Sequence, residues 1–220
     1  MDRIARDVLP QGGSLLAAKV SRYAVDLNRP EDDVPLYQTA TTGLISTIDF
    51  DGTPLYRAGL EPDAQMRRSR IATYWQPYHA ALSAEIARIC AAHGYCLLLD
   101  IHSIRSQVPR LFEGRLPDLN LGTNAGASCA DALSDAAFAA LQGTGFSTVR
   151  NGRFKGGYIT RHYGAPAQGV HALQIEIAQD CYMLERSPWT YLPEKAERLK
   201  EALAALVDAM VAFQPREVQA

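Results

Sequence analysis

The sequence predicts a three-layer α/β domain, a sandwich in which helices cover both faces of a mixed, largely parallel sheet. A short, continuously apolar run at 95–101 is typical of a strand buried inside such a sheet, and 170–177, apolar except for a few polar residues, favours another strand. Helical patterns separate and follow these runs, and strands that alternate with helices favour a layered architecture. The 220 residues suffice for one domain with a sizeable core, so we expect 1–220 to form a single unit.

The helices are predicted from apolar residues at three- and four-residue steps. Residues 63–93 show this spacing, with Gly94 as the stop signal and Pro77 as a kink or break. A second helix is predicted over 128–141, with Ser128 as a candidate N-cap, and a closing amphipathic helix over 194–213. These helices supply the outer layers of the predicted sandwich.

Two other segments are predicted to be extended. Residues 14–28 begin apolar and end polar, which favours one or two strands, and 146–150 favours another short strand. Residues 30–62 are rich in proline and glycine, so we expect a long loop with short extended pieces. Loops of this length in compact domains are usually functional or mobile.

Composition excludes several classes of protein. The net charge of −2 offers no basic surface for nucleic acid, and no apolar run approaches the roughly 20 residues that cross a bilayer. The N-terminus lacks the apolar core of a signal peptide, so we expect a cytoplasmic location. The four cysteines have no CxxC spacing, which favours free thiols in a reducing compartment over a structural zinc site.

The first polar cluster is VDLNRP at 25–30, where Asn28 and Arg29 follow the predicted strand. A guanidinium group offers a planar fork that matches a carboxylate, and a neighbouring amide can donate to the same anion. The alternative is an exposed turn whose arginine pairs with Glu31 or Asp32. The cluster is therefore a candidate anion site.

The second cluster is LLLDIHSIRS at 97–106, which places Asp100, His102, Ser103 and Arg105 at the end of a buried strand. Imidazole is a common metal ligand, and a nearby carboxylate can fix its tautomer. A lone histidine is more often structural, but this density of polar groups favours a metal or catalytic site.

The third cluster is GRFKGGYITRHYG at 152–164. Gly156 and Gly157 permit close approach of the backbone, while Arg161 and His162 could clamp an anion or donate to a developing oxyanion. Taken alone, the segment is equally typical of a glycine-rich hairpin with solvated charges.

The fourth cluster is VHALQIEIAQ at 170–179, where Glu176 interrupts an apolar strand. A buried carboxyl group is costly unless it is paired, bound to metal or protonated, and a raised pKa suits a general base or acid. Strand alternation puts Gln174, Glu176 and Ala178 on one face, whereas His171 is out of phase and is expected to be structural.

Taken together and in this order, the four clusters resemble the N-formylglutamate deformylase (N-formylglutamate amidohydrolase) family. The resemblance runs from about 14 to the last helix and is strongest in SRYAVDLNRP, LDIHSIRSQVPRLFEGRLPDLNLGT, NGRFKGGYITRHYG and VHALQIEIAQ. Through that family the chain is similar to zinc carboxypeptidases and aspartoacylases, which implies a carboxypeptidase-like α/β hydrolase domain. It also implies a substrate, N-formyl-L-glutamate, and one divalent metal ion, with zinc expected.

The resemblance implies a role for each matching residue. Glu176 would be the general base, His102 the third metal ligand, and Asn28 with Arg29 the binding site for a substrate carboxylate. Arg22 resembles an upstream arginine that polarises the scissile carbonyl in those relatives. Further substrate contacts are expected by position alone at Arg105, Arg161 and His162.

One departure from the family pattern concerns the first metal ligands. Family members carry an SxPHxG-like motif, whose histidine is the expected first ligand, and then an acidic residue before a VDRLY-like segment, which Met1-Asp2-Arg3-Ile4 resembles here. We therefore expect a domain without its N-terminal strand and ligand segment, and a chain that is not fully active alone. A start set too far downstream, a fragment and a natural remnant are competing explanations. An unpaired sheet edge would favour a homodimer.

Three alternatives stay open at this point. A metal site could be assembled from His102, His162, His171 and Glu176. A non-catalytic protein could retain only the carboxylate pocket of Asn28, Arg29 and Arg105. A hydrolase of another N-acyl amino acid, with an acetyl or succinyl group, would use the same catalytic parts.

Overall fold

The computed structural model describes residues 2–36 and 41–215, whose strands form one mixed sheet. The strands are β1 (Cys96–Ile104), β2 (Leu119–Gly122), β3 (Thr148–Arg150) and β4 (Val170–Ala178). Their order is β1-β4-β2-β3, with β1 at one edge. β1 and β4 are parallel, as are β2 and β3, while β2 and β4 are antiparallel. The predicted mixed, largely parallel sheet is confirmed.

Helices pack on both faces of this sheet. They are α1 (Asp2–Asp7), α2 (Ala64–Arg70), α3 (Gln76–His93), α4 (Asp131–Gln142), α5 (Tyr158–Tyr163) and α6 (Pro193–Val211). The main core contains Leu119, Leu173 and Ile175 of the sheet, packed against buried residues of α4 and α6. On the other face, Leu82 and Ile86 of α3 pack near the start of β1. The three-layer prediction is therefore confirmed. None of the helices described here combines the length and apolarity that crossing a membrane requires.

The strands predicted over 14–28 are not present, so that prediction is wrong. Leu15 and Leu16 are exposed, and the backbone beyond them forms local turns. The amide of Ala24 donates to the carbonyl of Ser21, and the amide of Arg29 donates to that of Asp26. These turn bonds use backbone groups that a sheet ladder would need.

The helical pattern over 63–93 is divided into three parts. Asp63 caps α2 by accepting from the amide of Met66 at 2.7 Å, and a π-helical turn at Ile71–Trp75 joins α2 to α3. Pro77 lies in the first turn of α3, where a missing N–H costs little. Gly94 ends α3 in the left-handed conformation, as the sequence predicted.

The end of β1 and the start of α4 also differ from the sequence prediction, and the first difference changes the position of His102. β1 continues three residues past 101, so His102 lies inside the strand rather than after it. Ala130, not Ser128, is the N-cap of α4, because the Ser128 hydroxyl donates to the carbonyl of Ala172 instead. The short elements β2 and α5 were not predicted.

Candidate active site

The register of β1 and β4 brings two of the predicted polar clusters together. His102 lies opposite Glu176, and Asp100 lies opposite Gln174 two residues earlier. Paired parallel strands are about 4.8 Å apart, and side chains two positions apart share a face. His102 and Glu176 are therefore near enough to act on one water molecule. A separation well over about 10 Å, which would have contradicted a hydrolase, does not occur.

The side chain of Asn28 connects this pair of strands to two other segments. Its Oδ1 accepts from the amide of Ile159 at 2.7 Å. Its Nδ2 donates to Asp100 Oδ2 at 2.8 Å and lies 2.8 Å from His102 Nε2. Asn28 is buried, so its bond to Ile159 is shielded from water and its contacts with Asp100 and His102 are partly shielded. The residue links the 26–29 turn, β1 and α5 at one point.

Gly157 makes room for the Asn28 amide. A Cβ atom added at Gly157 would lie 2.6 Å from Asn28 Cγ, which is closer than real Cβ contacts allow. The amide of Gly157 also donates to Gln174 Oε1 at 2.7 Å. The glycine therefore permits the close backbone approach that the third cluster predicted.

Two side chains of the π-helical turn and α3 hold the backbone on either side of Asn28. Trp75 Nε1 donates to the carbonyl of Arg29 at 2.9 Å. His79 Nε2 lies 2.9 Å from the carbonyl of Leu27, and its Nδ1 lies 2.9 Å from the Tyr163 hydroxyl. Burial lowers the pKa of His79, so a neutral ring donates through Nε2 and accepts at Nδ1. These contacts fix the turn that presents Asn28 and Arg29.

An ion pair forms the wall beside this turn. Arg22 Nη2 lies 2.5 Å from Asp26 Oδ2, and the guanidinium group stacks on Phe50 with 4.8 Å to the ring centroid. Asp26 is buried and also accepts from the amide of Asn28 at 3.0 Å. Burial raises the pKa of Asp26, but Arg22 and Arg29 outweigh burial and hold it below 3.8. Asp26 is therefore an anion that anchors Arg22.

We expect Asp26→Asn to lower the free energy of unfolding at neutral pH by roughly 1–3 kcal/mol, because it leaves Arg22 without its buried partner. The folded pKa lies below the unfolded value near 3.8, so this stabilisation is present above that pH and is lost as pH falls through the folded pKa. Chemical denaturation at several pH values measures it. Asp208→Asn, at an exposed position of α6, is the control. A difference between Asp26→Asn and wild type that stayed constant down to about pH 2 would contradict the assignment.

The surroundings of Glu176 and His102 shift the pKa of each group. Burial raises the pKa of Glu176, against the lowering effects of His102 and Arg22. Burial alone would lower the pKa of His102, but Asp100, with Glu176 and Asp26 beyond it, raises the pKa to about 9. His102 Nε2 accordingly lies 2.8 Å from Asp100 Oδ1. A carboxyl group with a raised pKa beside a hydrogen-bonded imidazole is suited to exchanging protons.

A cavity of about 50 Å³ opens on these groups. The predicted residues that line it are Arg22, Asn28, Arg29, His102 and Glu176. The structure thus brings together five of the eight site residues that the sequence singled out.

The other three predicted contacts lie outside the lining of this cavity. Arg105 pairs with Asp51 at 2.5 Å. Arg161 Nε donates to the carbonyl of Gly156 at 2.8 Å, and His162 stacks on the Tyr158 ring. The expectation of substrate contacts at Arg105, Arg161 and His162 therefore has no support from the shape of the cavity.

Three lining residues with a charged or amide side chain were not predicted as site residues. Asp26 stands two positions before Asn28, and Gln174 shares the face of β4 with Glu176, so both could have been found by strand or turn periodicity. Arg153 belongs to the third cluster, but nothing in its spacing distinguished it from Arg161. Only the fold selects between these two arginines.

The described residues do not complete a metal site at His102. Within 2–36 and 41–215, one group of three potential metal ligands has all its ligand atoms within 4.8 Å of one another. It consists of Asp118, Asp180 and Cys181, none of which lines the cavity. Arg115 bridges both of those carboxylates, and burial raises the pKa of the Cys181 thiol to about 12, so a cation is disfavoured there.

The alternative site built from His102, His162, His171 and Glu176 is likewise not assembled among the residues that the structure describes. His171 Nδ1 instead accepts from the amide of Ala130 at 3.1 Å, which fits the structural role expected for it.

An imidazole and a buried carboxyl group in a cavity lined by arginines suit an amidohydrolase, the class to which the relatives of this chain belong. A family model described as N-formylglutamate amidohydrolase matches residues 1–183. The chain belongs to this family.

Individual relatives agree with the family assignment. The chain is 55% identical to an N-formylglutamate deformylase of Pseudomonas aeruginosa, over 92% of this chain and 76% of that protein. It is 49% identical to one of Pseudomonas putida, over 95% of this chain and 78% of that protein. A crystal structure of an N-formylglutamate amidohydrolase from Ralstonia eutropha superimposes with a TM-score of 0.78 at 28% identity, covering 96% and 80% of the two chains.

Proposed function

We propose that this protein hydrolyses N-formyl-L-glutamate to L-glutamate and formate. The observation that carries the proposal is the buried Glu176 carboxyl group beside His102, in a cavity lined by arginines. The relatives named N-formylglutamate deformylase supply the substrate. Arginine side chains suit this substrate because it carries two carboxylates.

Glu176 acts as the general base in the proposed reaction. It takes a proton from a water molecule as the water oxygen attacks the formyl carbon. The proton then passes to the amide nitrogen as the C–N bond breaks. The products are formate and L-glutamate, which carries the new amino group. Arg22 lines the same cavity, and its proposed role is to donate to the formyl oxygen as negative charge develops there.

His102 is proposed as one ligand of a divalent metal ion, with zinc expected from the family resemblance. A catalytic zinc needs about three protein ligands, and the described residues offer one histidine here, so no step of the reaction is assigned to the ion. A second candidate function follows from this incomplete ligand set: a protein that binds N-formyl-L-glutamate without hydrolysing it.

We expect the purified polypeptide to retain well under one zinc per chain after dialysis against a chelator, and His102→Ala to lose what remains. Plasma emission measures the zinc content, and His93→Ala, at an exposed position, is the control. Stoichiometric zinc that survives dialysis would contradict the incomplete ligand set.

Formate release and calorimetry with N-formyl-L-glutamate, each with and without added zinc, separate the two candidate functions. Turnover supports the hydrolase, whereas binding without turnover, unaffected by zinc, supports the binding protein. N-acetyl-L-glutamate assayed in parallel tests whether the acyl group must be formyl.

Two further expectations remain proposals. The four cysteines are free, which suits a reducing compartment such as the cytoplasm. β1 lies at an edge of the sheet within the described residues, so a homodimer formed through that edge is proposed, and light scattering measures the mass in solution.

A further inference from the structure

Gln174 is buried on the face of β4 that carries Glu176, and it lines the same cavity. Only 3% of the residue is exposed. Its Oε1 accepts from the amide of Gly157 at 2.7 Å and from Asn28 Nδ2 at 3.4 Å. A backbone N–H can only donate, so the oxygen of the Gln174 amide must face Gly157. The NH2 group of Gln174 therefore points to the other side of the amide.

This NH2 group is a donor without an acceptor. Both hydrogen bonds of the side chain use Oε1, and no group within the described ranges 2–36 and 41–215 accepts from Nε2. The nitrogen is accessible from the cavity that Gln174 lines. Buried amide groups are nearly always hydrogen-bonded. An amide donor that is buried, held in place and open to a cavity is suited to bind an oxygen atom of a ligand.

The Gln174 amide lies next to the groups that are proposed to carry out the reaction. Asn28 Nδ2, which donates to Gln174 Oε1, is also 2.8 Å from His102 Nε2. Gln174 and Glu176 are two positions apart on β4, so their side chains share a face and lie roughly 7 Å apart along the strand. A ligand oxygen bonded to Nε2 would therefore be near both His102 and Glu176.

The charges around Gln174 favour a neutral acceptor over an anion. Asp100 lies opposite on β1 and Glu176 follows on β4, so a substrate carboxylate at Nε2 would face two carboxyl groups. Arginines are the proposed partners of both substrate carboxylates. The remaining acceptor on N-formyl-L-glutamate is the formyl oxygen, whose two lone pairs can accept from Arg22 and Gln174 together. We propose that Gln174 Nε2 donates to the formyl oxygen of the substrate, an inference that rests on the proposed function.

This hydrogen bond would act in the reaction as well as in binding. Negative charge develops on the formyl oxygen as water attacks, and a donor already held by Gly157 and Asn28 needs no rearrangement to meet that charge. The bond is then stronger in the transition state than in the bound substrate. Loss of the Gln174 amide should therefore lower kcat more than it raises KM.

The test compares N-formyl-L-glutamate with N-thioformyl-L-glutamate, in which sulfur, a weak acceptor, replaces the formyl oxygen. Calorimetry measures both affinities in a buffer with chelator, so that no metal ion adds its own preference for sulfur. We expect wild type to bind the formyl compound about threefold to tenfold more tightly. Gln174→Met keeps the length of the side chain without its amide. It should weaken the formyl compound by a similar factor and change the thioformyl compound by less than about twofold.

Gln179→Met is the matched control, because Gln179 follows β4 directly but does not line the cavity. It should leave both affinities as in wild type. Formate release from the formyl compound in a zinc-supplemented assay is a second readout. There, Gln174→Met should lower kcat by about tenfold to a hundredfold and change KM less.

Wild type that releases formate but binds the two compounds equally well would overturn the inference, while the proposed hydrolase function would stand. Equal weakening of both compounds by Gln174→Met would also overturn it, because the side chain would then act only by holding Gly157 and Asn28. Wild type that shows the expected affinities but releases no formate would support the inference and overturn the hydrolase function. Wild type that neither binds nor hydrolyses the formyl compound would overturn both.

Discussion

Glu176→Gln is expected to lower kcat for formate release by about a hundredfold to ten-thousandfold in a zinc-supplemented assay. The substitution keeps the shape of the side chain but removes the carboxylate that is proposed to accept the proton of water. The affinity for N-formyl-L-glutamate should change little, because arginines and not Glu176 are proposed to bind its carboxylates. Steady-state kinetics and calorimetry on the same preparations separate the two effects.

The fold of this variant should survive. The folded pKa of Glu176 is raised, so the buried group favours folding below its unfolded pKa near 4.5, and this advantage is lost as pH rises through the folded value. A neutral glutamine avoids that loss, and the thermal unfolding temperature at pH 7 should be equal to or above that of wild type. Glu194→Gln, exposed in the first turn of α6, is the control. Turnover near that of wild type in Glu176→Gln would refute the assignment of the base.

The fold was predictable from sequence where burial dictates the pattern. The apolar run that became β4 is buried along its whole length, so its place inside the sheet follows from burial. The run that became β1 forms a strand as predicted, but within the described residues it lies at an edge of the sheet and is mostly half-buried. The end of β1 was not predictable in the same way, because His102 and Ser103 are polar and read as loop residues. They remain in the strand because β4 continues beside them through Ala178.

The segment 14–28 was predicted to form strands and does not form them. Its apolar beginning resembles a strand, yet it has no partner strand among the described residues and its last part forms turns. Strand propensity reflects packing against neighbours, which a single sequence does not reveal. Asn28 and Arg29, which were predicted to bind a carboxylate because of their chemistry and not their secondary structure, both line the cavity.

Residue type and spacing could not predict which arginines line the cavity. Arg105, Arg153 and Arg161 all stand in polar clusters, and only Arg153 lines the cavity. Arg105 follows the end of β1 and forms an ion pair with Asp51, while Arg161 donates to the carbonyl of Gly156. Such choices depend on contacts between loops far apart in sequence, which spacing cannot supply.

Gly157→Ala is expected to lower kcat/KM by about a hundredfold, although the glycine contributes no reacting group. The added methyl group would occupy the space of the Asn28 amide, with 2.6 Å between its Cβ and Asn28 Oδ1. Moving Asn28 disturbs its bonds to Asp100 and Ile159 and its contact with His102, and so the position of the His102 imidazole. We also expect a loss of roughly 1–3 kcal/mol in the free energy of unfolding.

Gly143→Ala is the matched control, because Gly143 has an ordinary helical conformation and an added Cβ would meet nothing closer than 3.5 Å. A double-mutant cycle tests the cause. If the methyl group acts by displacing Asn28, the double variant Asn28→Ala with Gly157→Ala should be about as active as Asn28→Ala alone, since the side chain being displaced is absent. Independent losses that simply multiply would show that Gly157 matters through the backbone of α5, and that the Asn28 amide does not connect the glycine-rich segment to His102 and Glu176.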